Sequence, residues 1–310
     1  MRQFYDKKII GVDHGYGNIK TANSCVTTGV STYDTVPVFK ENLLKWDNKF
    51  YIIGAEHKEF TGDKMFDDDY YVLTLAAIAE ELAYSGLTNS DVFIAAGLPL
   101  TWVSSQRKEF KEYLLQNENV DFTYKGIEYH VHIIGADIYP QGFAAIATDL
   151  GSFEDSNMLC DIGNGTMNIM FVNDKRPDIK RCYTEKFGTQ QCILAIRENL
   201  MKYHKAELPE SVITKILTTG TAKIDSEYLE TIKITAQLYV EEIFRKLREH
   251  GYDEKSMKLR VVGGGGCLIK NFCTVDSEKV IINDDICATA KGYERLFELK
   301  LKRIEEKNEH

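Results

Sequence analysis

One short pattern occurs twice in this chain. Asp13-His14-Gly15-Tyr16-Gly17 returns half a chain later as Asp161-Ile162-Gly163-Asn164-Gly165. Each copy follows an apolar run, at 8–12 and 157–160, and each leads into a second strand-like run, at 19–22 and 167–172. The order is strand, acid, glycine turn, strand. Glycine permits positive φ and close backbone approach, so such a turn is able to present amide groups to a phosphate. An aspartate at the strand end is placed to hold Mg²⁺ through water. A single copy would read as an ordinary hairpin. Two copies at domain-scale separation predict two related half-domains that face one nucleotide from opposite sides.

A third glycine cluster, Gly263-Gly264-Gly265-Gly266, follows the apolar run 258–262. It is expected to open a loop into a helix over 267–271 and to bring backbone close to a nucleotide. The chain lacks Gly-x-x-x-x-Gly-Lys-Ser/Thr, so it is not a Walker-type protein. A dinucleotide fingerprint is poorly matched as well, because the first glycine turn leads into a strand and not into a helix.

Bulk properties narrow the partners. With 310 residues the chain has material for two domains. Its formal net charge of -9 argues against sequence-wide contact with nucleic acid. The N-terminal residues contain no apolar signal core, and no run reaches membrane-spanning length, so a cytoplasmic protein without membrane contact is expected. Its 7 cysteines are odd in number and form no Cys-x-x-Cys pair, which favours reduced thiols over disulfides or zinc.

Strand-like and helix-like segments alternate through both halves, so the class is α/β. Helices are expected over 70–84, 105–116, 141–149, 190–203, 226–250 and 285–302. The first has Leu73, Ala76, Ala77 and Ala83 on its apolar side. Strands are expected over 91–96, 120–124 and 127–134, the last two joined by a Lys125-Gly126 turn. The expected boundaries are 1–150 and 151–310, with a smaller subdomain over about 30–95 and the helix 285–302 packing back on the first domain. The charged tail 300–310 is expected to fray.

These residues carry a resemblance. The two acid–glycine turns, the Gly263–Gly266 turn and the Pro140-Gln141 segment stand in the order used by the actin, sugar kinase and heat-shock ATPase superfamily. Within it the chain resembles bacterial actin-like proteins of the ParM/StbA plasmid-segregation family. The closer marks are residues 13–20, 73–79, Gly97-Leu98-Pro99, Tyr139-Pro140-Gln141-Gly142 and residues 161–166. The resemblance covers nearly the whole chain. It implies an actin-like fold of two ribonuclease-H-like domains around an interdomain nucleotide cleft.

The resemblance also assigns roles. Gly15, Tyr16, Gly17, Asn18, Gly163, Asn164, Gly165 and Thr166 would cradle the phosphates of ATP or ADP, with GTP as the other candidate. Lys20, which alone reads equally as an exposed strand lysine, would add a point charge. Asp13 and Asp161 would organise Mg²⁺ and its waters; by themselves they read as turn residues. Gln141 would orient the attacking water, and Asp161 would polarise it. Glu185, Lys186 and Gly188 would approach the nucleoside, and Gly263, Gly264 and Gly265 the ribose and α-phosphate. The chain departs from many relatives at Asn168, where they carry Asp, so a metal role there is not implied. His14, unusual inside such a turn, is expected to point away from the phosphates.

The function implied is an ATPase that polymerises into filaments and segregates plasmid or mobile-element DNA through a ParR-like, DNA-bound adaptor, with no direct contact to nucleic acid. Two other readings stay open on the residues: a small-molecule kinase on the same fold, and a scaffold switched by nucleotide without hydrolysis.

Overall fold

The computed structural model describes residues 1–15, 17–54, 68–147, 149–274 and 278–308. Tyr16, expected in the first turn, lies outside them. The chain separates into two units, Met1–Asp149 with Cys287–His310, and Leu150–Ile286.

The first unit begins with β1 (Arg2–Phe4), β2 (Lys7–His14), β3 (Asn18–Lys20), β4 (Cys25–Thr27), β5 (Val30–Tyr33), β6 (Leu43–Trp46) and β7 (Lys49–Ile53). It continues with α1 (Asp68–Tyr84), β8 (Asn89–Leu98), α2 (Leu100–Leu114), β9 (Asn119–Tyr124), β10 (Ile127–Pro140) and α3 (Phe143–Ile146). The second unit contains β11 (Ser156–Ile162), β12 (Met167–Asn173), β13 (Arg176–Glu185), α4 (Thr189–His204), α5 (Glu210–Thr219), α6 (Ser226–Glu249), β14 (Lys258–Val262), α7 (Gly266–Phe272) and β15 (Val280–Ile282). The last helix, α8 (Ala288–Asn308), belongs to the first unit.

Among the described residues, the first sheet runs β4-β3-β2-β8-β10-β9-β6-β7-β5, with β1 added to β2. β2, β8 and β10 are parallel and central. Parallel strands need cover on both faces, and they have it. Side chains alternate across a strand. Ile10 and Val12 of β2 join Ile94, Leu73, Ala76 and Phe110 in the core under α1 and α2, whereas Ile9 joins Ala95, Ala144, Tyr293 and Phe297 under α3 and α8.

Gly11 lies on that second face. A Cβ there would stand 2.0 Å from the Ala290 carbonyl oxygen, and one at Gly292 would stand 1.8 Å from that of Ala144. α8 therefore touches both β2 and α3 at backbone distance, which only glycine permits.

The second sheet runs β13-β12-β11-β14-β15, with β11, β14 and β15 parallel. Its core gathers Met158, Cys160, Ile162, Ile196, Ile213, Ile243 and Leu259. Asp225 caps α6 by accepting from the Glu227 amide at 2.8 Å, and Gly220 closes α5 at φ 78°.

Turn chemistry follows the sequence closely. Lys125-Gly126 joins β9 to β10 and Asp47-Asn48 joins β6 to β7, each pair with both residues at positive φ, as tight hairpins require. Four expectations are corrected. The helix expected over 141–149 shrinks to the single turn α3, because Pro140 still pairs with Leu98 in the sheet and Gly142 takes φ 75°. α2 starts at Leu100, directly after Pro99, rather than at 105. Ala83 of α1 is exposed, because the helix outlasts its buried stretch. The tail is helical to Asn308, where fraying from 300 was expected; the Lys302–Glu298 pair, 2.6 Å apart, ties its first turn.

Two predictions follow from the α8 contact. Gly292→Ala should lower stability by roughly 2–4 kcal/mol, because neither backbone has room to withdraw; thermal unfolding measures it. The second concerns Glu294, buried beneath Gly11 and accepting its amide at 3.1 Å. Burial pushes the Glu294 carboxyl up to about 7, against the N-terminal ammonium and the Gly11 amide, which favour the charged form. The ordinary value is 4.5, so between the two the folded chain holds a proton that the unfolded chain has lost. Stability from this group therefore falls as pH rises through that window, by about 3 kcal/mol in all. Urea unfolding at pH 5 and 7.5 should show Glu294→Gln losing that part of the pH dependence.

Candidate functional site

In the first unit the site is set by the carboxyl ends of parallel strands, where open α/β sheets bind ligands. Asp13 stands near the end of β2 and Leu98 at the end of β8. Gln141 directly follows β10, and its amide donates to the Leu98 carbonyl at 2.9 Å. The Gln141 side chain thereby meets Asp13, Nε2 donating to Oδ1 at 3.3 Å. Lys20 is the β3 partner of Asp13 in the antiparallel ladder. The sheet thus brings Asp13, Lys20 and Gln141 together.

The turn between β2 and β3 is tight. A Cβ at Gly15 would meet the Asn18 carbonyl oxygen at 2.5 Å. The Gly15 amide donates to the Asp13 carbonyl at 3.0 Å, and Gly17 accepts from the Thr28 amide at 3.2 Å. His14 turns the other way and is fully buried, its Nε2 2.8 Å from Thr74 Oγ1, with the Phe110 ring edge-on at 5.4 Å. Thr74 gives its own proton to the Tyr70 carbonyl at 2.7 Å, so His14 is the donor and carries hydrogen on Nε2. His14 belongs to the core.

In the second unit, Asp161 pairs with Asn168 across the β11–β12 hairpin and with Val262 in the parallel ladder. The Gly163 amide donates to the Thr166 carbonyl at 2.8 Å, which closes the turn through Asn164 and Gly165. β14 then delivers the third glycine cluster beside it. Gly263 takes φ 85°, and a Cβ there would lie 2.5 Å from Asp161 Oδ1. Gly265 donates to the Ile162 carbonyl at 2.9 Å and leads into α7. Gly264 has open space where its Cβ would point.

α4 completes this half. The Thr189 and Gln190 amides at its start donate to the carbonyls of Gly163, at 3.1 Å, and Asn164, at 2.9 Å; the Thr189 hydroxyl donates to Asn164 Oδ1 at 3.0 Å. Gly188 is crowded against this turn, since its Cβ would meet the Asn164 carbonyl oxygen at 2.3 Å. Its own carbonyl accepts from Tyr239 at 2.7 Å. Asp161, Gly163–Thr166, Gly188 and Gly263–Gly265 thus form one cluster in this unit.

Two side chains are committed. Glu185 accepts from His250 Nε2 at 2.7 Å and pairs with Lys246 at 3.4 Å; the His250 bond leads in holding its carboxyl below the ordinary range. Asn168 accepts from the Thr184 hydroxyl at 2.9 Å, a neutral hydrogen bond.

Among the described residues no three His, Cys, Asp or Glu side chains cluster as a metal cage. Mg²⁺ keeps most of its waters and takes only one or two carboxylates, so it needs no such cage. Asp13 and Asp161 supply one carboxylate in each unit.

Residues 11–143 match the family described as actin like proteins, N terminal domain. The whole chain matches solved actin homologs in fold. The chain's fold is actin-like. The archaeal actin homolog Ta0583 is 21% identical, covering 94% of this chain and 99% of its own, with a TM-score of 0.72. Actin-like protein Alp7A is 16% identical over 98% and 99%, with a TM-score of 0.76. ParM of Bacillus thuringiensis, solved with ATP, is 15% identical over 96% and 100%, with a TM-score of 0.69. No curated protein matches the chain in sequence.

Sequence reasoning about this actin-like chain missed Thr189 and Gln190, which anchor the second turn. The signal was present: Gly188-Thr189 just ahead of the apolar helix run is a helix start. It also missed His250 and Lys246, which hold Glu185; they lie on and just beyond α6, far away in sequence. Gly263→Ala should lower both stability and nucleotide affinity, since the new methyl displaces the Asp161 carboxylate. Gly264→Ala should leave thermal stability within about 1 kcal/mol of the parent. Parallel melting and nucleotide-titration curves for the two variants check this.

Proposed function

We propose that the chain is a nucleotide-dependent, filament-forming ATPase. The contact between Gln141 and Asp13 at the carboxyl ends of β10 and β2 carries this reading. The Gln141 amide donates one hydrogen bond to Asp13 and keeps Oε1 to accept a hydrogen bond from water, which orients that water without making Gln141 a strong base. Lys20 adds positive charge beside Asp13, where a phosphate would sit. In the second unit, Asp161, flanked by Gly163–Thr166 and Gly263–Gly265, offers a carboxylate and backbone of the same kind. Asp13 and Asp161 are the carboxylates that would hold Mg²⁺ through water, and the ion would supply neutralisation of phosphate charge.

Solved structures of similar fold support the reading. They include Ta0583 in complex with ADP, ParM of Bacillus thuringiensis with ATP and with AMPPNP, and an Alp12 filament. By the same reasoning the filament segregates a plasmid or mobile element through a ParR-like adaptor. The net charge of -9 favours such indirect contact with DNA over direct binding.

High-speed sedimentation with ATP, GTP, ADP or no nucleotide, each with Mg²⁺ and negative-stain imaging, tests the proposal. Filaments should form with triphosphate and disassemble after hydrolysis. Gln141→Ala should still assemble and release phosphate roughly tenfold or more slowly. Phosphate release that depends on a small-molecule acceptor, without assembly, would instead make the chain a kinase.

A further inference from the structure

α2 carries Ser104, Arg107, Lys108 and Lys111 at the i, i+3, i+4, i+7 spacing that places side chains on one helix face. Lys300 of α8 reaches the same place from the far end of the sequence. With Asp137 of β10 they line an open cavity of about 580 Å³, within the size range of small-molecule sites.

Asp137 explains why the cations are ordered. Its side chain is 3% exposed, and each oxygen takes one charged donor: Arg107 Nη2 at 2.8 Å and Lys300 Nζ at 2.8 Å. Burial alone would raise its carboxyl; hydrogen bonds from Lys300 and Arg107 hold it below the ordinary value. Asp137 is therefore ionised with both oxygens engaged. It fixes two long side chains whose remaining N–H donors stay available to a ligand.

The charge does not cancel. Arg107, Lys108, Lys111 and Lys300 stand against the single carboxylate of Asp137 on the cavity wall. Glu112 pairs with Lys108 only at 3.8 Å, with both side chains largely in water, so it offsets little. The chain as a whole carries -9, so this local concentration of positive charge runs against the net charge.

We propose that this cavity is a binding site for a small anion with two or more phosphate or carboxylate groups, separate from the nucleotide residues. Arg107 contributes its planar fork, Lys108, Lys111 and Lys300 contribute point charges, and the Ser104 hydroxyl supplies a neutral donor.

Isothermal titration of the full chain with tripolyphosphate and, separately, with citrate tests this. Lys108→Ala/Lys111→Ala removes two cations from an exposed helix face with a good helix former, and circular dichroism confirms its fold. The double variant should bind at least tenfold more weakly, Lys20→Ala should bind at this site as the parent does, and parent affinity should drop steeply with added salt. Binding of both anions marks a charge-selected site, and binding of tripolyphosphate alone marks a phosphate site. No binding of either at low salt overturns the proposal. So does binding that survives in the double variant and disappears in Lys20→Ala, or parent affinity that ignores salt.

Discussion

The first unit depends on a contact between backbones. α8 lies against β2 at Gly11 and against α3 at Gly292, at distances no side chain would allow. Asp13 is the penultimate residue of β2, and α3 begins two residues after Gln141. One helix from the end of the chain therefore braces both partners of the Asp13–Gln141 hydrogen bond. Glu294 adds a polar tie to the same place through the Gly11 amide. The catalytic role proposed for this pair would need geometry held within about 0.5 Å, and packing of backbone on backbone is a stiff way to hold it.

The second unit reaches a similar arrangement by other means. Its acid–glycine turn is steadied by the first amides of α4, which donate to the carbonyls of Gly163 and Asn164, and by Gly263, crowded against Asp161. The duplication visible in the sequence is thus a duplication of strand, acid and turn, while the surroundings of the two turns differ. Asp13 has an amide side chain beside it; Asp161 has the glycine cluster of β14 and α7.

Much of this was legible from residues because the signals are local. Acid–glycine turns, positive-φ pairs such as Asp47-Asn48, and the apolar run of α1 each depend on a few neighbours in sequence. What was not legible depended on distant pairing. Gln141 looked like a helix start because Pro140 precedes it, but the ladder between β10 and β8 claims Pro140 and leaves Gln141 in a turn. His14 was expected to point away from the phosphates, but its partners Thr74 and Phe110, brought by α1 and α2, were out of reach of any local signal. Glu185 was expected near a nucleoside, and its partners His250 and Lys246 lie 65 and 61 positions away in sequence, too far for a local signal.

The hold of α4 on the second turn has an entropic meaning. A loop that must close around an anion gives up conformational freedom as it does so, and affinity is reduced by that amount. Here Gly163 and Asn164 are already fixed by Thr189 and Gln190, and the dipole of α4 is satisfied by carbonyls belonging to the turn itself. The loss is met once, when the unit folds, so the phosphate contact proposed for this turn would meet a surface with little freedom left to surrender.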